Sequence, residues 1–327
     1  MSDATGSFSS NKTDASLPLI IVNPTSAGGD TARIWTRTAS EIHRRFGAFA
    51  VEFTRAPGHG KQIALEAAKQ GRKLIVACGG DGTINEIANG ILESGEPAEL
   101  GILPSGTGGD FRRTFHLSTD PAQAAADLKN GITETIDAGR VTFTDENGKT
   151  VSRYFMGVAS FGISTSVIRR VKADKPFAWL PRGLSGRAGF AWSTLQTTLE
   201  MKYTKASITL DDGREREVSV VNFCVANARY FGGGMKIAPD ARLDDGLFDV
   251  VMIGEISTPK ILANSYKLYV GKHFDVAEVH HAHARKIVVN PITDEKIRFE
   301  TDGELPGFLP AVFEIAPRAL KIRISKK

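Results

Sequence analysis

Three glycine-rich loops hold the residues of this 327-residue chain whose types and spacing best suit chemistry. They read NPTSAGGD (23–30), GGDGTINE (79–86) and PSGTGGDF (104–111). Glycines let backbone N–H groups approach a ligand closely, and a helix beginning near Thr83 would add its partially positive N-terminal end. Such loops suit phosphate groups. Asp81 has the wrong charge for that task, so its presence predicts a Mg²⁺ ion between its carboxylate and the phosphates.

A simpler interpretation is that the glycines only permit tight turns, and for one glycine pair it would be preferred. Three such loops at corresponding strand ends, with Asp81 and Thr107 among their residues, favour a binding site. The established nucleotide motifs are missing. The chain has no GxxxxGK[ST], and position 85 is Asn and position 111 is Phe where GxGxxG would need glycine.

The elements that must position these loops follow from hydrophobic patterning. Four short apolar runs alternate with amphipathic segments in the first half of the chain, at 17–22, 51–54, 73–77 and 99–103. This alternation predicts a doubly wound parallel sheet with helices on both faces. In such sheets the carboxyl ends of the strands form the ligand crevice, and all three loops follow strand ends.

The second half has a different pattern. Alternating strands with turn signals at 146–148 and 211–213 predict an antiparallel β-sandwich, interrupted by helical stretches near 161–201 and 258–271. We therefore expect an α/β plus all-β protein. Its expected parts are a polar tail (1–16), an α/β nucleotide-binding domain (17–138) and a β-sandwich domain (139–327) whose last ten or so residues return to the first domain.

Composition limits the compartment and the partners. The net charge of +4 is too small to indicate a nucleic-acid-binding protein. The first sixteen residues lack the apolar core of a signal peptide, and no apolar run is long enough to span a bilayer. Cys78 and Cys224 lie in apolar runs as expected of free buried thiols. These features predict a cytoplasmic protein whose membrane contact, if any, is peripheral.

The loop motifs resemble those of the diacylglycerol kinase catalytic family, which includes bacterial lipid kinases and sphingosine and ceramide kinases. GGDGT (79–83) is shared with NAD kinases, so the motifs of the second half are more specific. These read IDAGRV (136–141), GGGMKIAPDARLDDGLFDV (232–250), GKHF (271–274), TDGE (301–304) and APRALKI (316–322). They occur in the order that the lipid kinases show.

The resemblance implies an ATP- and Mg²⁺-dependent kinase that phosphorylates a lipid hydroxyl in the second domain. It also implies that the protein associates transiently with the membrane, where it meets its lipid substrate. The oligomeric state stays open, and a homodimer is one possibility. Two alternatives remain. One is an NAD kinase-like phosphotransferase, because GGDGT is shared. The other is a nucleotide-binding regulator without turnover, because two loop positions depart from the family pattern.

Site residues can be carried over by position. The family's nucleotide site falls on Asn23, Pro24, Thr25, Ser26, Ala27, Thr54, Gly79, Gly80, Asp81, Gly82, Thr83, Ile84, Asn85 and Thr107. Its structural magnesium would be bound by the Asp245 carboxylate and the Arg242 and Leu247 carbonyls. Its catalytic base falls on Glu304, beside Asp302, and Asp137 resembles an acid that holds water and metal near the γ-phosphate.

The two departures are Gly109, where the family usually has Asn, and Ala27, where it usually has Gly. They shift the expected neutralisation of phosphate towards Mg²⁺ or Arg33. Asp302 and Glu304 lie two apart, so on an extended segment both side chains would project to one side.

Three further features lie outside the motifs. His280, His281 and His283 precede a predicted strand with no Cys or acidic residue spaced beside them, so we expect a solvated strand entry rather than a zinc site. Basic and aromatic residues alternate over 169–192, which is equally compatible with a membrane-surface contact and with a solvated helix face. Within that segment we expect the core positions to be Trp192, Leu195 and Leu199.

Overall fold

The computed structural model describes residues 15–105, 109–173 and 182–326. Four parallel strands form the sheet of the first half, in the spatial order β2-β1-β3-β4. Their bounds are β1 Leu19–Val22, β2 Ala50–Phe53, β3 Leu74–Gly79 and β4 Glu99–Pro104. The helices between them are α1 Asp30–Phe46, α2 His59–Lys69, α3 Asp81–Ser94, α4 Asp110–Thr114 and α5 Pro121–Asn130.

Helices cover both faces of this sheet because its strands are apolar on both sides. Leu19 and Ile21 face α2 and α3, whereas Ile20 and Val22 face α1 and α5. Successive residues of β1 therefore pack into two separate apolar clusters, one on each face of the sheet. The parallel sheet with helices on both faces, predicted from the alternation of strands and helices, is confirmed.

The second half is antiparallel. Its strands are β5 Ile132–Thr144, β6 Thr150–Phe155, β7 Val158–Gly162, β8 Thr204–Leu210, β9 Arg216–Val220, β10 Asn222–Ala226, β11 Phe248–Ile253, β12 Val279–Ala284, β13 Lys286–Pro291, β14 Arg298–Thr301 and β15 Glu304–Ile324. Its helices are α6 Ile163–Ala173, α7 Arg182–Leu199, α8 Thr258–Asn264 and α9 Tyr266–Val270. The inner faces of the strands pack over a core rich in phenylalanine, which confirms the predicted sandwich.

Strand β15 joins the two halves. It pairs with β5 over most of its length, and its end lies parallel to β4, with Ile322 opposite Leu100. Leu320, Ile322 and Ile324 are buried in the α2–α3 core of the first half. The strand that leaves Glu304 therefore fixes the position of the sandwich against the sheet that carries the glycine loops.

One expectation about side chains is wrong, and one is incomplete. Trp192, Leu195 and Leu199 are exposed by 43%, 37% and 63%, so they do not belong to the core. His280, His281 and His283 are exposed and precede β13, as expected, but they also form part of β12, a strand that the sequence did not predict. Within residues 15–105, 109–173 and 182–326, no helix is both long and apolar enough to cross a membrane.

Candidate active site

Side-chain hydrogen bonds join the first glycine loop to the second. Asn23 Nδ2 donates to Thr83 Oγ1 at 2.9 Å, while Asn23 Oδ1 accepts from the backbone N–H of Thr25 at 3.0 Å. The Gly80 N–H donates to Ser26 Oγ at 3.1 Å. The structure thus brings together the expected nucleotide-site residues of the first and second glycine loops.

Gly79 is required by its surroundings. A Cβ at this position would lie 2.6 Å from the Oγ1 of Thr83, the hydroxyl that holds Asn23. Helix α3 begins at Asp81, two residues earlier than expected, and Ile84 is buried in the core. The N–H of Ile84 donates to Gly80 O at 3.1 Å, so this residue supports the loop from the core. Because α3 has fourteen residues, its N-terminal end carries a substantial partial positive charge towards the loop.

Asp81 connects the second loop to the third. Its carboxylate accepts hydrogen bonds from the backbone N–H groups of Asp110 at 3.2 Å and Phe111 at 3.3 Å, at the beginning of α4. The sequence suggested only a metal-directed role for Asp81, and the structure adds this loop contact. Thr107 lies outside the described residues.

The two positions that depart from the family pattern have left-handed backbone conformations. Ala27 has φ 54° and ψ 32°, and Gly109 has φ 70°. Glycine tolerates this region, as does asparagine to a lesser extent, whereas alanine is strained there by roughly 1 kcal/mol. Arg33, which was expected to help neutralise the phosphate charge, is exposed, and its Nη1 lies 3.5 Å from Asp30 Oδ1.

Asp302 lies in a turn rather than on an extended segment, contrary to expectation. Its φ is 49°, and Gly303 follows with φ 82°. Its carboxylate accepts hydrogen bonds from Asn85 Nδ2 and from three successive backbone N–H groups, Met156 (2.9 Å), Gly157 (2.9 Å) and Val158 (3.1 Å). Asp302 thus joins the α3 end of the glycine loop to the sandwich. Burial raises the pKa of Asp302 to about 6, although these hydrogen bonds oppose the increase.

Glu304 begins β15 and faces the second glycine loop. Its Oε1 lies 4.0 Å from the place where a Cβ on Gly82 would stand. Arg153 Nη2 donates to Glu304 Oε2 at 2.8 Å and to Asn85 Oδ1 at 3.3 Å. The Glu304 side chain is 38% exposed, so solvent or a second substrate can reach it. Two acids predicted to act together, Asp302 and Glu304, thus share a turn but have different surroundings.

Three polar residues to which the sequence assigned no role complete this region. Glu300 accepts hydrogen bonds from the Ser160 hydroxyl and, at 3.0 Å, from the Gly303 N–H, and burial raises its pKa to about 8. Asp110 accepts from the Gly233 N–H at 2.9 Å, and burial raises its pKa to about 6. Arg153 is the third. Asp110 belongs to the motif of the third glycine loop, whereas no sequence motif marks Glu300 or Arg153 as a site residue.

Thr54 follows β2, and its N–H donates to Val22 O at 2.9 Å. A cavity of about 370 Å³ lies directly after it, lined by residues of the segment 55–62. Glu86 shapes this segment, because its carboxylate accepts from Gly58 N–H at 2.8 Å and Gly60 N–H at 3.1 Å. The motif residue Glu86 was quoted from the sequence but was given no role there.

Asp137 is fully buried beneath the DDGLFD loop. Its carboxylate accepts from Gly246 N–H and Arg318 N–H, both at 2.7 Å, and its own N–H donates to Leu243 O at 2.6 Å. These contacts give it a supporting role for the loop. Direct action on metal and water remains a prediction.

The residues expected to hold a structural magnesium fit that ion chemically. Asp245 is exposed and accepts from Leu247 N–H at 3.0 Å, while Arg242 pairs through its guanidinium with Asp244 at 3.2 Å. The carbonyls of Arg242 and Leu247 and the Asp245 carboxylate are hard oxygen donors, the type that Mg²⁺ prefers.

Comparison with known proteins gives a consistent result over nearly the whole chain. The family model described as "Diacylglycerol kinase catalytic domain" matches residues 18–141, and that described as "YegS C-terminal NAD kinase beta sandwich-like domain" matches residues 157–324.

Relatives and structures agree with these matches. The Diacylglycerol kinase of Bacillus subtilis (strain 168) is 28% identical, over 94% of this chain and 96% of its own length. That of Mycobacterium tuberculosis (strain H37Rv) is 29% identical, over 92% and 93%. The crystal structure described as that of "a putative diacylglycerol kinase from Bacillus anthracis str. Sterne" superimposes on this chain with a TM-score of 0.73 at 25% identity. The match covers 95% of this chain and 97% of the other.

Proposed function

This chain belongs to the diacylglycerol kinase family, and we propose that its acceptor is diacylglycerol, phosphorylated on its free hydroxyl by Mg-ATP. Family membership makes it an ATP-dependent lipid kinase. The choice of diacylglycerol among lipids rests on the names of its relatives. The observation that carries the proposed phosphoryl transfer is the position of Glu304, a partly exposed carboxylate facing the glycine loop.

The nucleotide would lie along the three loops. The phosphates would be held by the N–H groups of 79–83 and the beginning of α3, where the peptide dipoles favour negative charge. The rest of the nucleotide would extend into the 370 Å³ cavity after Thr54, whose wall is held in shape by Glu86. Asn23 and Ser26 would fix the first loop against the second, as their hydrogen bonds to Thr83 and Gly80 do here.

Asp81 is the residue best placed to hold a catalytic Mg²⁺ at the phosphates, because it lies in the second glycine loop at the N-terminus of α3 and contacts the third loop. Such an ion would neutralise charge on the transferred phosphoryl group. Asp245, with the Arg242 and Leu247 carbonyls, would bind a second, structural ion.

Glu304 would accept the proton of the lipid hydroxyl as that oxygen attacks the γ-phosphorus. Arg153 would orient Glu304 and hold it near Asn85. Asp302 would hold the turn by which Glu304 reaches the loop, since four donors converge on its carboxylate.

Access to a lipid requires contact with a bilayer, and the exposed face at α7 supports such a contact. Trp192 and Leu199 are exposed there, and Tyr203 lies just beyond, with its hydroxyl donating to Ile256 O at 3.3 Å. Arg169 is exposed on α6, whereas Arg170 pairs with Glu200 at 2.6 Å. Other members of the basic-aromatic segment, Lys175, Phe177, Trp179 and Leu180, lie outside the described residues. Exposed apolar side chains near basic ones are typical of interfacial contacts.

A transfer assay tests the acceptor. The purified protein is incubated with labelled ATP, Mg²⁺ and mixed micelles that contain diacylglycerol, a sphingoid base, ceramide or a polyprenol, with NAD in a separate reaction. We expect label in diacylglycerol at a rate at least about 10-fold above the other acceptors, because a built lipid site discriminates headgroups by hydrogen bonding. Transfer mainly to another lipid would refute diacylglycerol but keep the lipid kinase, and transfer to NAD alone would refute both.

Vesicle co-sedimentation tests membrane contact separately. We expect binding to vesicles with anionic lipid, weaker binding at high salt, and a loss when Arg169→Ala is combined with Leu199→Ser. ATP binding should be unchanged in that variant, because neither residue belongs to the glycine loops or to the cavity after Thr54. Equal binding to neutral and anionic vesicles, or no effect of the double substitution, would contradict the contact.

A further inference from the structure

Two histidines and an aspartate form a cluster at the edge of the sandwich, and the proposed kinase chemistry does not use it. His281 and His283 lie on β12, and Asp249 lies on the neighbouring strand β11, directly opposite His283. Their potential ligand atoms all lie within 4.8 Å of one another. We propose that Asp249, His281 and His283 form a site for Zn²⁺ or a similar divalent transition-metal ion.

The strand geometry explains why these three side chains meet. Residues two apart on a strand share a face, so His281 and His283 project to the same side, as Asp249 does from β11. The opposite face of the two strands carries Phe248 and Val250 into the sandwich core. His280, on that opposite face, is opposite Met252 and does not belong to the cluster.

The distances suit a small metal ion. His281 Nε2 lies 2.8 Å from Asp249 Oδ1, and His283 Nε2 lies 3.4 Å from the same oxygen. Tetrahedral zinc, with bonds of about 2.0–2.1 Å to nitrogen and oxygen, holds its ligand atoms roughly 3.3 Å apart. The His283 pair already has this separation, and the His281 pair needs to open by about 0.5 Å.

The surroundings are also suitable. The Asp249 side chain is only 5% exposed, while those of His281 and His283 are 28% and 52% exposed. A buried carboxylate needs a compensating positive charge, which a metal ion supplies more strongly than one hydrogen bond. The Phe274 ring packs against the His281 ring at a tilt of 30°, with 4.9 Å between the ring centroids, and forms an apolar wall. The exposed side leaves room for water as a fourth ligand.

The donor set indicates which ion would bind. Two imidazoles and one carboxylate suit zinc and related transition metals, whereas Mg²⁺ prefers oxygen donors alone. The cluster is therefore chemically distinct from the proposed magnesium loop, although Asp245 stands only four residues before Asp249. Strand β12 ends the order of strands in its sheet, so a metal here would tie an edge strand to β11.

The test measures zinc binding directly on tag-free, metal-stripped protein. Isothermal titration with ZnCl₂ should give about one ion per chain, and excess Mg²⁺ should not displace it. Removing a residue that only hydrogen-bonds to a metal ligand lowers metal affinity by about 10–100-fold. His281→Asn or His283→Asn removes a direct ligand, so each should weaken zinc binding by at least about 100-fold. His280→Asn is the matched control on the same strand, and Asp245→Ala separates the magnesium loop. Both should bind zinc as the wild type does.

Two measurements keep the result interpretable. Melting of the metal-free variants shows whether they fold. Zinc should raise the melting temperature of the wild type, His280→Asn and Asp245→Ala, but not that of His281→Asn or His283→Asn. X-ray absorption at the zinc edge of the wild type should show two imidazole ligands without any substitution. Absence of stoichiometric binding, an effect of His280→Asn equal to that of His283→Asn, or a spectrum without imidazole would overturn the proposal. The remaining role for the cluster would then be an Asp–His hydrogen bond.

Discussion

Arg153 and Glu304 form an ion pair with a nitrogen–oxygen distance of 2.8 Å across 151 residues of sequence. The same Arg153 nitrogen also donates to Asn85, a residue of the second glycine loop. One guanidinium therefore links the proposed base to the loop that would hold the phosphates. The pair is partly buried, with side-chain exposures of 22% for Arg153 and 38% for Glu304.

Arg153→Gln should lower kcat by about 10-fold and leave the KM for ATP nearly unchanged, because the residue positions Glu304 rather than binding nucleotide. Steady-state kinetics with the accepted lipid measures both constants. Arg140→Gln is the control, since Arg140 pairs with Glu314 on the surface at 2.9 Å. An equal effect of both substitutions would show that the Arg153 result reflects general destabilisation.

Glu304→Gln should reduce phosphotransfer by at least about 100-fold, the size expected for loss of a general base. Nucleotide binding, followed by titration calorimetry, should be retained because the glycine loops are intact. The exposed Glu295→Gln should retain full activity. Near wild-type turnover of Glu304→Gln would assign proton transfer to another group.

Asp245→Ala should lower the melting temperature in Mg²⁺ but not in a chelator, and activity should recover in part at high Mg²⁺ because mass action refills a weakened site. Calorimetry and assays over a Mg²⁺ series measure these effects. Asp244→Ala is the adjacent control, because Asp244 pairs with Arg242 instead. Identical Mg²⁺ dependence in wild type and Asp245→Ala would exclude a structural ion at this loop.

Glu300 predicts a pH dependence of stability. Burial raises its pKa from 4.5 to about 8, so between these values the folded protein holds a proton that the unfolded chain has lost. Stability is therefore greatest below the unfolded pKa and decreases as the pH rises towards the folded pKa. Melting temperatures of the wild type should fall between about pH 4.5 and 8, whereas those of Glu300→Gln should fall less. The exposed Glu96→Gln should follow the wild type, and parallel curves for Glu300→Gln would contradict the assignment.

Ala27→Gly should stabilise the protein by about 0.5 kcal/mol, because relief of left-handed strain exceeds the entropy cost of glycine. Urea unfolding measures the change. Ala126→Gly, within α5, should have the opposite sign and cost about 1 kcal/mol. Loss of stability in both variants would show that Ala27 is not strained.

The sequence by itself determined the features that depend on local pattern. The alternation of strands and helices in the first half predicted the parallel sheet. The strand-and-turn pattern of the second half predicted the antiparallel sandwich. The spacing of the glycine motifs placed three loops at one edge of the sheet. These features arise from interactions within a few residues, such as strand periodicity and the requirement for glycine where Thr83 crowds Gly79.

Only the tertiary structure decided which side chains meet. The pairing of Arg153 with Glu304 and of Asp249 with His281 depends on strand register and on the path of β15, and no local spacing encodes either. The same reason explains the error at Trp192, Leu195 and Leu199. Periodicity shows that a helix has an apolar face, but the neighbours that cover that face or leave it exposed are chosen by packing between distant segments.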